Sequence, residues 1–138
     1  MSSIFLPAVV LMLITILVWL NMFLRRVIAI KSAGLDPQDY PTPEGLNAIL
    51  SEREQAPANC LRNLFEVPVI FYALTAFVAA MAIGDPIFVN MAWAFVGLRS
   101  LQACVHCTYN RVMHRFYAYL ASSLILWVMV IRFFLIIF

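Results

Sequence analysis

Long apolar runs alternate with shorter polar ones along the chain, and four of the apolar runs are long enough to cross a bilayer. They lie at about residues 4–30, 59–83, 86–107 and 116–138. A helix needs about 20 apolar residues to cross the hydrocarbon core, so each run predicts one transmembrane helix. The sequence therefore predicts an all-α membrane protein, a four-helix bundle in a single domain over residues 1–138.

The connections between these runs predict a hairpin and a loop. The Gly-Asp-Pro tripeptide at 84–86 makes the second and third helices antiparallel neighbours, because glycine stops a helix and proline opens one. The polar stretch at about 31–58 predicts a loop with one short helix at about 44–53, capped by Thr42. Pro68 predicts a kink within the second helix.

Composition places the chain in the membrane class, since 64% of its residues are hydrophobic and only 12% are charged, against about 25% charged in soluble domains. The net charge of +2 is small and the basic residues are scattered, so no nucleic-acid partner is expected. Arg25 and Arg26 follow the first apolar run and do not precede it. This order favours a retained helix over a signal peptide.

Basic residues collect at one end of the predicted helices. That end carries Arg25, Arg26, Lys31, Arg53, Arg62, Arg111 and Arg115. Since Lys and Arg are in excess on the cytoplasmic side of membrane proteins, the loop at about 31–58 is predicted to be cytosolic and both termini non-cytosolic. The chain is then a multi-pass protein of a bacterial inner membrane or of an endoplasmic-reticulum-type membrane.

Polar residues recur at helical spacing within the second, third and fourth predicted helices. The second carries Asn59, Arg62, Asn63 and Glu66, the third Arg99, Gln102, His106 and Tyr109, and the fourth begins with Arg115, Tyr119 and Ser122. Residues at these spacings lie on one face of a helix, so each set predicts a polar stripe. The stripes of the second and third helices are expected to face each other.

Glu66 and Arg99 are expected at the same depth, roughly 10 Å inside the predicted cytosolic boundary at the rise of an α-helix. A lone charge in hydrocarbon costs several kcal/mol, so the two side chains are predicted to form an ion pair. In one interpretation, such a pair has no role other than to hold two helices together. The number of polar residues in the cytosolic third instead favours a pocket for a small anion that also carries an ammonium group.

Cys104 and Cys107 have the C-x-x-C spacing, with His106 between them. One such motif supplies too few ligands for a closed zinc site, and the chain has no second cysteine pair. No metal is therefore expected.

Two segments resemble the MAPEG family, the membrane-associated proteins in eicosanoid and glutathione metabolism. RNLFEVP, at 62–68, is similar to the second-helix signature of the family, and LRSLQACVHCTYNRVMHRFYAY, at 98–119, is similar to its helix-three to helix-four segment. The resemblance implies a MAPEG-like four-helix bundle that forms homotrimers. It also implies that glutathione binds between neighbouring subunits near the cytosolic face.

The resemblance assigns glutathione contacts by position. Arg62, Asn63 and Glu66 would hold the polar ends of the tripeptide, while Arg99 and Gln102 would line the pocket from the third helix. Further predicted glutathione-binding residues in the same cytosolic third are Asn59, His106, Tyr109, Tyr119 and Arg26.

Arg115 falls where the prostaglandin synthase and leukotriene synthase members place the arginine that faces the thiol, and Tyr119 follows at the matching offset. Three positions depart from the pattern of those members. His106 replaces a tyrosine, Phe116 replaces a serine beside the arginine, and Asn59 replaces what is often an arginine. The change at Phe116 argues against isomerase chemistry.

These features predict a glutathione-dependent transferase or peroxidase that acts on lipophilic electrophiles at the membrane. A fixed cation favours the thiolate over a thiol whose ordinary pKa is about 8.5, and Arg115 is the predicted catalytic cation. Glutathione is the co-substrate, and a hydrophobic small molecule or lipid is the second ligand. Two alternatives stay open: a non-catalytic protein of the same fold that binds a lipid or a partner protein, and a structural bundle without a ligand.

Overall fold

The computed structural model describes residues 4–138, and within this range the chain forms helices and no strand. The helices are α1 (Phe5–Ser32), α2 (Pro43–Ile49), α3 (Glu52–Phe65), α4 (Val67–Ala80), α5 (Pro86–Cys107) and α6 (Val112–Ile137), with a 3₁₀ turn at Pro37–Asp39. The predicted all-helical class is confirmed. Residues 1–3 of the predicted domain lie outside the described part of the chain.

Four helical segments are long and apolar enough to cross a membrane: α1, α3 together with α4, α5, and α6. Their number and order confirm the prediction. Large apolar side chains such as Leu17, Ile28 and Leu135 are exposed on the outside of the bundle, where contact with lipid rather than water is favourable. The protein is an integral multi-pass membrane protein, and the side on which its termini lie stays a prediction.

The polar stretch before the second span is more helical than the sequence predicts. Thr42 caps α2 as expected, by accepting a backbone N–H at 3.1 Å, but α2 stops before the predicted end. Ser51 then starts α3 with a capping box, in which Ser51 and Glu54 exchange side-chain-to-backbone hydrogen bonds. The second span therefore begins at Glu52 rather than at about residue 59, because polar helical turns precede its apolar part.

The second span bends at Glu66, where the backbone leaves the helical region with φ −90° and ψ −94°. Pro68 stands in the first turn of α4 and has no N–H to donate to the turn before it. The predicted kink is therefore confirmed. It separates α3 from α4 at the only carboxylate of the second-helix stripe.

The predicted hairpin between α4 and α5 is present. Asp85 caps α5 by accepting the backbone N–H of Phe88 at 2.9 Å, and Pro86 occupies the first turn. The same carboxylate pairs with Arg132 of α6. The end of α4 is marked by Ala82, whose backbone is left-handed with φ 56°.

Aromatic and aliphatic side chains fill the space between the helices. Phe71 of α4 stacks on Phe95 of α5 with ring centroids 4.5 Å apart, and Leu11 of α1 and Leu126 of α6 are fully buried beside them. The most extensive helix contact is between α5 and α6. This contact encloses the polar face of α5.

Candidate functional site

The polar stripe of α5 lies inside the bundle. Arg99 is fully buried, and Gln102 and His106 are 3% and 2% exposed. Arg99 donates from Nη1 to Oε1 of Gln102 at 2.9 Å and from Nη2 to Oγ of Ser123 at 3.4 Å. All the hydrogen-bond partners of this cation in the described chain are therefore neutral.

Two aromatic rings complete the surroundings of Arg99. Its guanidinium carbon lies 5.4 Å from the ring centroid of Phe95 and 4.7 Å from that of Tyr119. A cation over an aromatic face gains electrostatic energy, which is larger where water is excluded. The two rings reduce the free-energy cost of burying the guanidinium charge, but they do not neutralise the charge.

The predicted ion pair between Glu66 and Arg99 is wrong for the single chain. Over residues 4–138 the one salt bridge is that between Arg132 and Asp85, near the α4–α5 hairpin. Glu66 is exposed on the outside of the bundle. The buried face of α3 is a different one, which consists of Ala56, Pro57, Cys60 and Leu64.

No hydrogen bond or salt bridge joins the second-helix stripe to the α5 stripe within residues 4–138, and the expectation that the two stripes face each other stays a prediction. Asn59, Arg62 and Glu66 are exposed, and Asn63 is half-buried. Each lies within the segment Glu52–Ala80 that is apolar enough to span a membrane. Charged groups on the lipid side of such a segment are costly unless another surface covers them.

Arg115 is half-buried at the start of α6, and its guanidinium is bonded within the protein. Nη1 lies 2.7 Å from Oδ1 of Asn110 and 2.9 Å from Nε2 of His106. An arginine N–H can only donate, so Nε2 of His106 is the acceptor and the ring proton of the neutral imidazole is on Nδ1.

Two N–H donors of this cluster have no acceptor. Nε of Arg99 and Nδ1 of His106 are buried and make no hydrogen bond within the described chain. Buried polar atoms are nearly always paired, and an unpaired donor costs about 1–3 kcal/mol. With two arginines and no carboxylate bonded to them in the part of the chain that the structure describes, the cluster has the chemistry of an anion-binding site.

The structure brings five of the predicted site residues together: Arg99, Gln102, His106, Arg115 and Tyr119. Two others lie apart from this buried cluster. Tyr109 is exposed, with its hydroxyl 3.1 Å from Nδ1 of His114, and Arg26 donates to Asn47 of α2 at 3.1 Å.

The side-chain contacts of three further residues were not predicted from the sequence. Asn110 and Ser123 bind the two site arginines. Arg25 donates to Asn21 of α1 at 3.0 Å and to the carbonyl oxygens of Arg53 at 3.0 Å and Cys107 at 3.1 Å, so that it ties α1, α3 and α5 together. An asparagine in a short turn was the one sequence signal for Asn110, since asparagine tolerates left-handed backbone.

A polar cavity of about 360 Å³ opens beside this end of the bundle. Its walls are formed by Arg25, Glu52, Arg53, Ala56, Thr108, Tyr109 and Asn110. Over residues 4–138 no three His, Cys, Asp or Glu side chains come close enough to hold a metal ion, and the three cysteines are free thiols.

The comparison with known families decides the affiliation of the chain. The model of the MAPEG family matches residues 4–135, nearly the whole chain. The chain belongs to the MAPEG family. Membership supports a role in glutathione-related or eicosanoid metabolism at the membrane, at the level of the family. Comparisons of this MAPEG protein with curated proteins and with solved structures gave no significant match.

Proposed function

We propose that this MAPEG protein is a glutathione-dependent transferase or peroxidase that acts on lipophilic electrophiles dissolved in the bilayer. The observation that carries the proposal is the cluster of buried Arg99 and His106 with half-buried Arg115, in which two N–H donors lack an acceptor and no carboxylate of residues 4–138 is bonded to either arginine. A bound anion would satisfy such a cluster.

Glutathione fits these donors by its chemistry. The tripeptide has two carboxylates, which match arginine N–H groups and the Nδ1–H of His106, and one ammonium group, which needs an anion. Glu66 is the carboxylate of the second-helix stripe and is proposed to bind the ammonium. Arg62 and Asn63, on the same stripe, would hold the adjacent polar groups.

The proposed site is expected to need more than one copy of the chain, because most of the second-helix stripe is exposed in the single chain. In the cluster of α5 and α6, Arg99, Gln102 and His106 are buried while Arg115 is half-buried, whereas Asn59, Arg62 and Glu66 are exposed. A second copy packed on the outward stripe would remove these polar groups from lipid and bring them to a shared ligand. We therefore propose a homotrimer, in which the number three follows from the family.

Arg115 is proposed to stabilise the thiolate of glutathione. Both hydrogens of its Nη1 are used by Asn110 and His106, while Nε and Nη2 make no hydrogen bond within the described chain. These remaining N–H groups would donate to the sulfur, favouring loss of the thiol proton to water at neutral pH. Phe116 follows Arg115, so the hydroxyl chemistry of an isomerase is not proposed.

The bond changes are those of a thiolate nucleophile. In a transfer reaction the sulfur forms a bond to an electrophilic carbon, and the leaving group departs with the bonding electrons and takes up a proton. In a peroxidase reaction two glutathione molecules reduce one hydroperoxide to an alcohol and water and are oxidised to the disulfide. The apolar acceptor would reach the sulfur from the bilayer, where such molecules concentrate.

Purified protein in mild detergent tests this function by isothermal titration with glutathione and by turnover with several apolar electrophiles and hydroperoxides. The expected result is saturable binding and glutathione-dependent turnover, with S-methylglutathione as a control that binds but supports no turnover. Absence of turnover with every acceptor contradicts the enzyme. Lipid capture without turnover would instead favour the non-catalytic alternative.

A further inference from the structure

Asn110 lies in the turn between α5 and α6 and holds the proposed catalytic arginine from one side. Its Oδ1 accepts from Nη1 of Arg115 at 2.7 Å. Its backbone is left-handed, with φ 48°, and its N–H donates to the carbonyl oxygen of Val105 at 2.8 Å. Asparagine is among the few residues that adopt this conformation readily.

The position of Arg115 makes such a contact necessary. The residue is in the first turn of α6 at the predicted membrane boundary, where a free arginine extends toward lipid headgroups. His106 alone offers one acceptor, Nε2, for one hydrogen of Nη1. Asn110 supplies a second acceptor for the other hydrogen of Nη1, and two acceptors on one nitrogen restrict the rotation of the guanidinium.

The neutrality of Asn110 is as important as its position. A carboxylate at this place would hold the guanidinium equally well but would oppose its positive charge, because an opposite charge at hydrogen-bond distance strongly offsets a cation. The amide supplies an acceptor without an added negative charge. Arg115 therefore keeps its full charge for a ligand.

We propose that Asn110 is a positioning residue, which holds the guanidinium of Arg115 toward the sulfur of glutathione without neutralising it. The inference rests on the proposed function, since it assumes that Arg115 acts on a glutathione thiolate. It also explains why this turn places an asparagine in left-handed backbone, where a glycine would be less strained but would offer no acceptor.

Two variants separate position from charge. Asn110→Gly keeps the left-handed turn and removes the acceptor, while Asn110→Asp keeps an acceptor and adds a negative charge. The matched control is His114→Ala, one residue before Arg115, which removes only an exposed contact with Tyr109. Thermal unfolding without glutathione shows whether each variant is folded, and if Asn110→Gly is not, Asn110→Asp carries the test.

The readouts are the thiolate absorbance of bound glutathione as a function of pH, and kcat and KM with one acceptor. We expect Asn110→Gly to lower kcat roughly tenfold with a smaller change in the KM for glutathione. We expect Asn110→Asp to move the titration of the bound thiol to higher pH than in the wild type, and His114→Ala to leave it unchanged.

The possible results distinguish the inference from the function on which it rests. If the wild type forms the thiolate and both Asn110 variants have the titration curve and kcat of the wild type, the positioning role is overturned and the proposed function is not. Absence of thiolate in the wild type would overturn the proposed function and the inference together. A higher KM with unchanged kcat and thiol titration would assign Asn110 to binding and refute the positioning role.

Discussion

Arg115 and His106 meet at 2.9 Å, with a guanidinium N–H directed at Nε2 of the imidazole. This contact turns the arginine inward, although its place at the end of a span is typical of an anchor to lipid headgroups. It also leaves Nδ1 of His106 as a buried donor without a partner in the described chain. The two residues thus contribute both charge and an unused donor to the site.

Removal of Arg99 should abolish most of the stabilisation by glutathione. Arg99→Met replaces a buried cation that has no anionic partner in the described chain with an apolar side chain. The free energy of unfolding without glutathione should therefore fall by less than it does when one partner of a buried ion pair is removed. Glutathione at 100 times its dissociation constant should stabilise the wild type by about 2.7 kcal/mol. Thermal unfolding in detergent, with and without glutathione, measures both the stability of the protein and its stabilisation by glutathione. The control is Arg53→Met, at an exposed position. A full glutathione shift in Arg99→Met would exclude Arg99 from the site.

The carboxylate of Glu66 should affect binding rather than chemistry. Glu66→Gln removes the proposed partner of the glutathione ammonium, and a hydrogen bond to a charged group is worth about 1.5–3 kcal/mol. The KM for glutathione should rise roughly tenfold or more while kcat changes little. Glu44→Gln, on the exposed first turn of α2, is the matched control. An unchanged KM with a reduced kcat would be inconsistent with this role.

Arg25 should be a major contributor to stability at the end of the bundle. It bonds to Asn21 and to the backbone of α3 and α5, so Arg25→Ala breaks contacts among three helices. We expect the free energy of unfolding to fall by about 2 kcal/mol. Arg53→Ala should change it by less than about 0.5 kcal/mol, because that exposed side chain makes no hydrogen bond in the described structure. Equal effects of the two changes would refute the prediction.

Stability should fall at acidic pH through Asp85, which lies in the turn outside the spans. The backbone N–H of Phe88 is the largest cause that lowers the pKa of this carboxyl below its ordinary value; burial opposes it, and the hydrogen bond and charge of Arg132 lower the pKa further. The contribution of Asp85 to the free energy of unfolding is therefore fully present above the pKa of about 3.9 that the carboxyl has in the unfolded chain. It is lost as the pH falls through the lower pKa of the folded protein. Thermal unfolding between neutral and acidic pH should show an acid loss that is smaller in Asp85→Asn. The same loss in Asp85→Asn and in the control Asp39→Asn would assign the effect to other groups.

The sequence predicted the spans and the α5 stripe because both depend on periodicity within one helix. Arg99, Gln102 and His106 share a face at any rotation of α5. The partner of Arg99 depends instead on the rotation of α3, which follows from the packing of small residues such as Ala56 and Cys60. Periodicity within the stripe does not determine that rotation, so it could not show that Glu66 and Arg99 form no salt bridge within the single chain.

Asn110 and Ser123 were missed for a related reason. Both bind arginines through the turn geometry between α5 and α6 and the register of the two helices. The contact of Asn110 depends on its left-handed backbone, and that of Ser123 depends on how α5 and α6 are aligned. Residue spacing along the sequence encodes neither. The assembly of copies around the outward stripe and the orientation of the termini stay predictions.

The thiolate absorbance of bound glutathione, compared between the wild type and Arg115→Ala, tests the central claim most directly. The wild type should show the thiolate at neutral pH. Arg115→Ala should lose the thiolate absorbance and most of kcat while still binding glutathione through Arg62, Asn63 and Glu66. Arg115→Lys should keep only part of the absorbance and of kcat, because an ammonium lacks the planar fork of the guanidinium. If Arg115→Ala retains both the thiolate absorbance and the rate, Arg115 does not stabilise the thiolate and the mechanism is wrong.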